Sequence, residues 1–243
     1  MADGNCLIAN DWICGEYVRT RGQELTDATL QHIGITLASV AIGLLVALPL
    51  ALLARRWRPV AGPVLGATTI LYTVPSLAMF SLLVPVFGLS AAVVVTGLVL
   101  YSLTILVRNI LAGLASVPQD AREAARGMGY GPVRLLFAVE LPLALPALMA
   151  GLRIATVSTV SLTTVGAIIG YGGLGNLIYE GMRSYFKSQV LTASVLCVVL
   201  AVVADLALLL VQRLLTPWAR PKRRTKPGKP VAGGAGRPEK AVA

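Results

Sequence analysis

Long apolar runs alternate with short charged segments along the 243-residue chain. An α-helix needs about 20 residues to cross the hydrocarbon core of a membrane, which is about 30 Å thick. Five of these runs reach that length. They cover about 33–54, 60–87, 91–114, 143–170 and 190–215. The pattern predicts an all-α integral membrane protein, a polytopic bundle of about five transmembrane helices.

The charged segments between the runs predict the orientation of the helices. Three arginines at 55–58 separate the first two runs, and nine lysines and arginines lie from Arg213 onward. Residues 1–30 and 171–189 together, by contrast, carry six acidic and four basic residues. Because basic residues concentrate on the cytoplasmic side of membrane proteins, we expect the N-terminus outside and the C-terminus inside the cell.

Three segments follow from this pattern. Residues 1–30 form an extracytoplasmic N-terminal segment, residues 31–216 the transmembrane domain, and residues 217–243 a basic cytoplasmic tail. The tail is rich in proline, glycine and basic residues, so it lacks the apolar side chains of a folded core and is predicted to be disordered. We expect it to associate with anionic membrane lipid.

The composition supports a membrane protein and argues against other classes. The mean hydropathy is +0.77 and only 13% of residues are charged, about half the charged fraction of a typical soluble domain. The net charge of +10 is concentrated after an apolar run, which favours a membrane flank over a nucleic-acid partner. One histidine and three cysteines without a CxxC motif predict no metal site.

Proline interrupts several apolar runs, and Pro75 in LYTVPSLAMF lies well inside the second. Proline lacks a backbone donor and clashes with the carbonyl four residues earlier, here that of Leu71. In lipid such a break is tolerated only where protein or a water-lined cavity covers the freed backbone. Tyr72, Thr73 and Ser76 supply polar groups beside it, so the segment is either the wall of a transport pathway or a simple proline kink.

A charged, glycine-rich segment, 116–142, lies between the third and fourth runs, and we call it the charged loop. Pro118 suits the first position of a helix that Gly127 and Gly129, which can adopt positive φ, would end. A second short helix is expected within 132–142, ending at its final Leu-Pro. We predict two short helices on the cytoplasmic face that dock onto another surface.

The charged loop also carries three elements at fixed spacing. EAA is followed by glycine after three residues and by VELP after nine more. This resembles the loop EAA-x3-G-x9-I-x-L-P of the inner-membrane permease subunits of ATP-binding-cassette (ABC) importers, with valine for isoleucine as the only departure. The resemblance implies that the matching residues couple the chain to a cytosolic ATPase. They are Glu123, Ala124, Ala125, Gly129, Leu141 and Pro142.

Two further segments extend the resemblance to about residues 25–216. LYTVPSLAMFSLLVPVFGL and GAIIGYGGLGNLIYEGM resemble segments of the osmoprotectant branch of this family, whose members import glycine betaine, carnitine, choline and proline. We therefore add glycines of the second segment to the residues of the proline break as candidates for lining the pathway. The candidate pathway residues are Tyr72, Pro75, Ser76, Gly172, Gly173 and Gly175.

The resemblance implies a type I importer permease of the cell membrane that hydrolyses no ATP itself. The sequence contains no Walker A motif, so phosphoryl chemistry must come from a separate subunit. The expected partners are a cytosolic ABC ATPase dimer, an extracytoplasmic solute-binding protein and a second permease subunit, identical or related. The ATPase would bind ATP and Mg²⁺, and this chain no cofactor. The alternatives are a permease for methionine or phosphonate, and a polytopic scaffold or membrane enzyme without an ATPase.

Two pairs of residues are candidates for bonds within the chain. Arg153 and Asp205 are the charges that lie deep within the fourth and fifth apolar runs, at similar depth from the inner face, so they can form an ion pair between the fourth and fifth helices. Contact of either residue with substrate is the alternative. Cys6 and Cys14 are expected outside the cell, where a disulfide persists, and free thiols are the alternative.

Overall fold

The computed structural model describes residues 6–219, and every regular element in this range is helical. The tail predicted for 217–243 therefore lies almost wholly outside the described residues. The α-helices are α1 (Cys6–Ala9), α2 (Gly15–Thr20), α3 (Gly22–Arg56), α4 (Arg58–Thr73), α5 (Ser76–Phe87), α6 (Ala91–Ala115), α7 (Gln119–Gly127), α8 (Pro132–Leu135), α9 (Leu141–Thr163), α10 (Leu174–Arg183) and α11 (Lys187–Leu215). A π-helical segment, Leu136–Glu140, joins α8 to α9, and 3-10 turns lie at Thr164–Ile169 and Pro217–Ala219.

Four helical segments are each long and apolar enough to cross a membrane: α3, α6, the continuous stretch 132–169, and α11. A fifth apolar segment consists of α4 and α5, which are bent by 100° where they meet. Together these segments contain the five apolar runs, so the prediction of an all-α bundle of membrane helices is confirmed.

The helix α3 begins well before the apolar run that predicts it. Its first turns are polar, and Gln23 donates a hydrogen bond of 2.9 Å to Asp27, one turn further along the same helix face. At about 1.5 Å per residue, its 35 residues exceed the membrane core by several turns. The apolar pattern marks only the part of a helix that faces lipid or protein, so it cannot show such a polar extension.

The helix α6 is the centre of the bundle, with α3 and α9 packed against it and α11 at the periphery beside α9. The buried residues of α6 recur on several faces of the helix, which is typical of a helix surrounded by others. Close packing depends on small side chains. A methyl group added at Gly151 of α9 would lie 2.3 Å from the Cβ of Asn109 in α6, so only glycine permits this helix contact.

The bent pair α4–α5 carries the chain from one end of the bundle to the other. At its start lies Arg55, which contacts Glu140 in the charged loop. At its end begins α6, whose opposite end also lies at the charged loop, where the Leu114 carbonyl accepts a hydrogen bond from Arg122. Because α3 and α6 both reach the charged loop with their C-termini, the segment between them crosses the bundle. The pair therefore counts as one broken crossing, which makes five crossings among residues 6–219.

The opposite end of the bundle holds the N-terminal residues. Asn10 donates a hydrogen bond of 2.8 Å to the Tyr185 carbonyl and accepts one of 2.9 Å from the backbone N–H of Lys187. The Tyr17 ring meets Phe186 edge to face, with centroids 5.3 Å apart. These contacts fasten the N-terminal residues to the turn between α10 and α11. The two segments predicted to lie outside the cell are thus together at the end remote from the charged loop.

Candidate functional site in the charged loop

The first helix of the charged loop, α7, begins one residue later than predicted. Pro118 has ψ 138 and precedes the helix, which starts at Gln119. Asp120 lies in its first turn and Arg126 in its last. The helix dipole stabilises an acidic residue in the first turn and a basic residue in the last. Gln119 donates a hydrogen bond of 2.7 Å to Glu123, so the glutamate of the EAA triplet is held on the exposed face of α7.

The triplet residues face in different directions. Ala125 is 1% exposed and packs inward, whereas Glu123 and Ala124 are exposed. The helix ends in a turn in which the Tyr130 N–H donates to the Ala125 carbonyl at 3.1 Å. Gly129 lies in this turn with φ +82 and is exposed. This is the left-handed C-terminal cap that glycine favours.

The prediction for Gly127 and for the second helix of the loop is wrong in detail. Gly127 is the last residue of α7, and only Gly129 of the two has positive φ. The second helix does not end at Leu141–Pro142, because α8, the π segment and α9 form one continuous helical stretch. Pro142 has no N–H to donate within the helix, and the wider π turns directly before it let the helix pass this position. Leu141 and Pro142 therefore form the first turn of α9.

Glu140 is a functional candidate that the motif alone does not show, because it occupies a variable position between valine and Leu-Pro. It is 3% exposed. Arg55 reaches it with two donors, at 2.8 and 2.5 Å, and the Nε atom of Arg122 lies 3.0 Å from its carboxylate. The one signal in the sequence was an acidic residue inside an otherwise apolar stretch, since buried acids need a partner.

A cavity of about 500 Å³ opens beside this carboxylate. Arg55, Arg56 and Arg126 line it together with Glu140, and leucines from α3 and the charged loop form its apolar wall. The cavity lies between the end of α3 and the charged loop, so the loop stands partly away from the bundle.

The proline break lies where the sequence predicts it, but a different side chain satisfies its backbone. Helix α4 ends at Thr73 and α5 begins at Ser76. The Tyr101 hydroxyl of α6 donates a hydrogen bond to the Val74 carbonyl. The Tyr72 ring lies edge to face with Tyr101, with centroids 6.0 Å apart, while Thr73 bonds within its own helix. A partner from a distant helix therefore covers the break, together with its neighbouring aromatic ring.

The three candidate glycines occupy a tightly packed junction. A methyl group added at Gly172 would lie 2.4 Å from the Ala167 nitrogen, and one at Gly175 would lie 2.3 Å from the Thr164 carbonyl oxygen. Gly173 has φ +57 and lies against His32 of α3. All three are buried. The observed role of these glycines is to let α10 fold back onto the end of α9; that they line a pathway stays a prediction.

The remaining candidate pairs are adjacent in the structure. The Arg153 guanidinium donates two hydrogen bonds to the Asp205 carboxylate, of 2.8 and 2.7 Å, and so joins α9 to α11. Both side chains are partly exposed at the bundle surface. Cys6 and Cys14 are joined as a disulfide, with Cα atoms 5.6 Å apart. Among the described residues, no group of three His, Cys, Asp or Glu side chains is arranged to hold a metal ion.

Tyr17 lies next to the disulfide and is buried, with its hydroxyl lacking a hydrogen-bond partner. Burial, together with the nearby Glu24 carboxylate, raises the pKa of Tyr17 to about 12. The ring is therefore neutral at physiological pH and serves as an apolar contact for the N-terminal residues.

The sequence from 32 to 221 matches the family of binding-protein-dependent transport system inner membrane components. This covers most of the chain, which therefore belongs to that family. The protein is an inner-membrane permease subunit of an ABC importer, in agreement with the charged loop and the bundle of apolar helices.

Within the family, the chain is similar to permeases of the osmoprotectant group. It is 35% identical to the choline transport system permease protein OpuBB of Bacillus subtilis, over 83% of this chain and 93% of that one. It is 36% identical to the osmoprotectant import permease protein OsmW of Salmonella typhimurium, over 83% of this chain and 96% of that one. The glycine betaine/carnitine/choline permease protein OpuCB of B. subtilis is 33% identical, with 83% and 93% covered.

Solved structures show the same fold. The MetNI methionine ABC transporter in an inward-facing conformation aligns with a TM-score of 0.69 at 24% identity, over 79% of this chain and 96% of that chain. An amino acid ABC transporter with histidines aligns with a TM-score of 0.71 at 18% identity, over 83% and 99%. The type I importer fold is thus confirmed.

Proposed function

We propose that this permease imports quaternary-ammonium osmoprotectants such as glycine betaine, choline and carnitine. The observation that carries the proposal is the identity of 33–36%, over nearly the full length of the relatives, with permeases of that group. The structural neighbours include a methionine transporter, but at 24% identity, which speaks for the fold and not for the solute. Methionine is therefore the comparison solute in the test.

The second part of the proposal concerns how ATP hydrolysis would move the helices. A cytosolic ABC ATPase dimer would bind the charged loop, and ATP and Mg²⁺ would be bound there and not by this chain. Helix α7 offers the ATPase an exposed face that includes Glu123 and Ala124, with the Gly129 turn at its end. Ala125 fixes that helix to the rest of the loop. Leu141 and Pro142 would pass its movement into α9, of which they form the first turn.

The third part concerns alternating access to the solute. Delivery by an extracytoplasmic binding protein would be followed by opening of a path between two permease subunits, either two copies of this chain or this chain with a related one. The α4–α5 break would line such a path, because Tyr72 is 47% exposed at the end of α4 and can contact a passing solute. Aromatic faces attract quaternary ammonium groups by cation–π interaction. Pro75 and Ser76 would shape the same wall.

The experiment that tests this function is transport in reconstituted vesicles. The permease is purified from its native host with any bound ATPase, inserted into lipid vesicles with its binding protein, and supplied with labelled glycine betaine, choline or methionine. We expect uptake of a quaternary amine that needs both ATP and the binding protein. Uptake of methionine alone would replace the solute assignment, and absence of any co-purifying ATPase would count against the proposed binding of an ATPase to the charged loop.

A further inference from the structure

The buried carboxylate of Glu140 connects more elements than its place in the charged loop requires. Glu140 is the only Asp or Glu buried among residues 6–219. Its first partner, Arg55, belongs to the last turn of α3, and its second, Arg122, to the middle of α7. Arg122 also donates a hydrogen bond of 2.5 Å to the carbonyl of Leu114, at the end of α6. The ends of two membrane helices and both halves of the charged loop are thus joined by three side chains, those of Arg55, Arg122 and Glu140.

Apolar contacts and charges both hold the charged loop to the bundle. Ala125 is the only buried side chain of α7, and Leu135 the only one of α8. Val117 of the charged loop is part of the main hydrophobic cluster, which includes residues of α3 and α6, and Leu136 packs against that cluster. A charge pair that is shielded from water, in contrast, becomes strongly unfavourable when either partner is lost. The ion cluster is therefore a direct tie between the charged loop and α3, and losing one partner would leave a shielded charge unpaired.

The backbone at Glu140 gives the cluster a second property. Glu140 is the last residue of the π segment, and α9 begins directly after it. Single π turns within helices recur at functional sites, where they allow a helix to change direction. Movement of α7 can therefore reach α9 through the chain itself, whereas the ion cluster gives α7 a direct contact with the end of α3.

We propose that Glu140, with Arg55 and Arg122, is the positioning joint that makes α3 move together with the charged loop. The proposal rests on the proposed coupling to a cytosolic ATPase and adds the route to α3, a helix outside the EAA motif. Glu140 touches neither solute nor nucleotide in this account. It acts by holding Arg55 and Arg122 on one carboxylate, so that α3, α6 and α7 change position as a unit.

The test uses the complete reconstituted transporter and the variant Glu140→Gln, which keeps the size of the side chain and removes its charge. Three quantities are measured: the ATPase that co-purifies, the rate of ATP hydrolysis stimulated by the binding protein, and the solute taken up per ATP hydrolysed. We expect normal co-purification and continued hydrolysis, with at least a fivefold fall in uptake per ATP. Arg58→Gln is the matched control, because Arg58 lies three positions from Arg55, is exposed and does not line the cavity beside Glu140. This control should leave all three quantities unchanged.

Two further variants separate coupling from a loss of folding. Arg122→Lys keeps a positive charge near the carboxylate and should retain most of the uptake per ATP that Arg122→Gln loses. The double variant Arg55→Gln with Glu140→Gln leaves no unpaired charge at position 55. If Glu140→Gln fails to accumulate in the membrane, this double variant carries the test and should show the same fall.

The outcomes separate failure of the joint at Glu140 from failure of the proposed importer function. Unchanged uptake per ATP in the accumulating variant would overturn the joint. Loss of ATPase co-purification from that variant would also overturn it, because the cluster would then shape the docking surface and not transmit movement. If the wild-type chain retains no ATPase and takes up no solute, the importer function itself fails, independently of Glu140.

Discussion

Substitution of Gly129 separates the backbone requirement of the charged loop from its contact with a partner. Gly129 has φ +82, and a methyl group added there would meet no heavy atom of this chain within 4 Å. Within the chain alone, the cost of Ala or Val is therefore one of backbone conformation, about 1–2 kcal/mol for a left-handed residue. Asn should cost less, because it adopts this conformation more readily than other side chains.

The size of this cost makes the comparison informative. About 1–2 kcal/mol lowers the ratio of the native turn to other conformations by a factor of about 5–30, which is too little to remove the protein from the membrane. If a partner packs closely on the exposed turn, the volume of the new side chain adds a second cost. That second cost is larger for Asn than for Ala, because Asn has the larger side chain. The backbone cost, in contrast, is larger for Ala than for Asn.

The assay is uptake of solute per ATP hydrolysed for Gly129→Ala, Gly129→Asn and Gly129→Val, with the membrane level of each. We predict near-normal levels, and a fall in coupling that is larger for Asn than for Ala and largest for Val. Gly170 is the matched control, because it has the same φ and the same open surroundings at the opposite end of the bundle. A milder effect of Asn than of Ala would refute a close partner contact, and normal transport by all three variants would remove Gly129 from the coupling site.

Two further predictions concern the packing of the bundle. Gly175→Ala should lower the free energy of unfolding by about 1–3 kcal/mol through overpacking, because its new methyl group would lie 2.3 Å from a backbone oxygen. The control Gly66→Ala places its methyl group with nothing within 4 Å and should not lower it. Equal stability of the two variants in thermal unfolding would contradict the tight junction. Asp205→Asn should lower the level of protein in the membrane by leaving Arg153 unpaired, and adding Arg153→Gln should partly restore that level in a quantitative membrane blot. Independent effects of the two substitutions would show that the pair is not a unit.

The sequence was sufficient to predict the apolar helices, since length and composition decide whether a segment suits a membrane. The position of the helix break at Pro75 and the helix between Pro118 and Gly129 also follow from local chemistry, because proline and glycine act on their own backbone. The helical extension to Gly22 did not follow from hydropathy, because polar residues form helices equally well when they project beyond the membrane.

What sequence reasoning missed depends on distant partners. Glu140 meets Arg55, which is 85 positions away, and Asn10 meets Lys187, which is 177 positions away. Neither contact leaves a periodic pattern in one segment. At the 100° bend between α4 and α5, the Val74 carbonyl likewise accepts a hydrogen bond from Tyr101, which is 27 positions away.

The most direct test of the account is a photo-crosslinker placed at Met128 in living cells. Met128 follows α7, and its side chain is 67% exposed. The account predicts a crosslink to a cytosolic ATP-binding subunit and no labelling of the same position by a membrane-impermeant reagent added outside. Labelling from outside, or a crosslinker that captures no ATPase while the protein is transporting solute, would contradict the claim that the charged loop is where the ATPase binds.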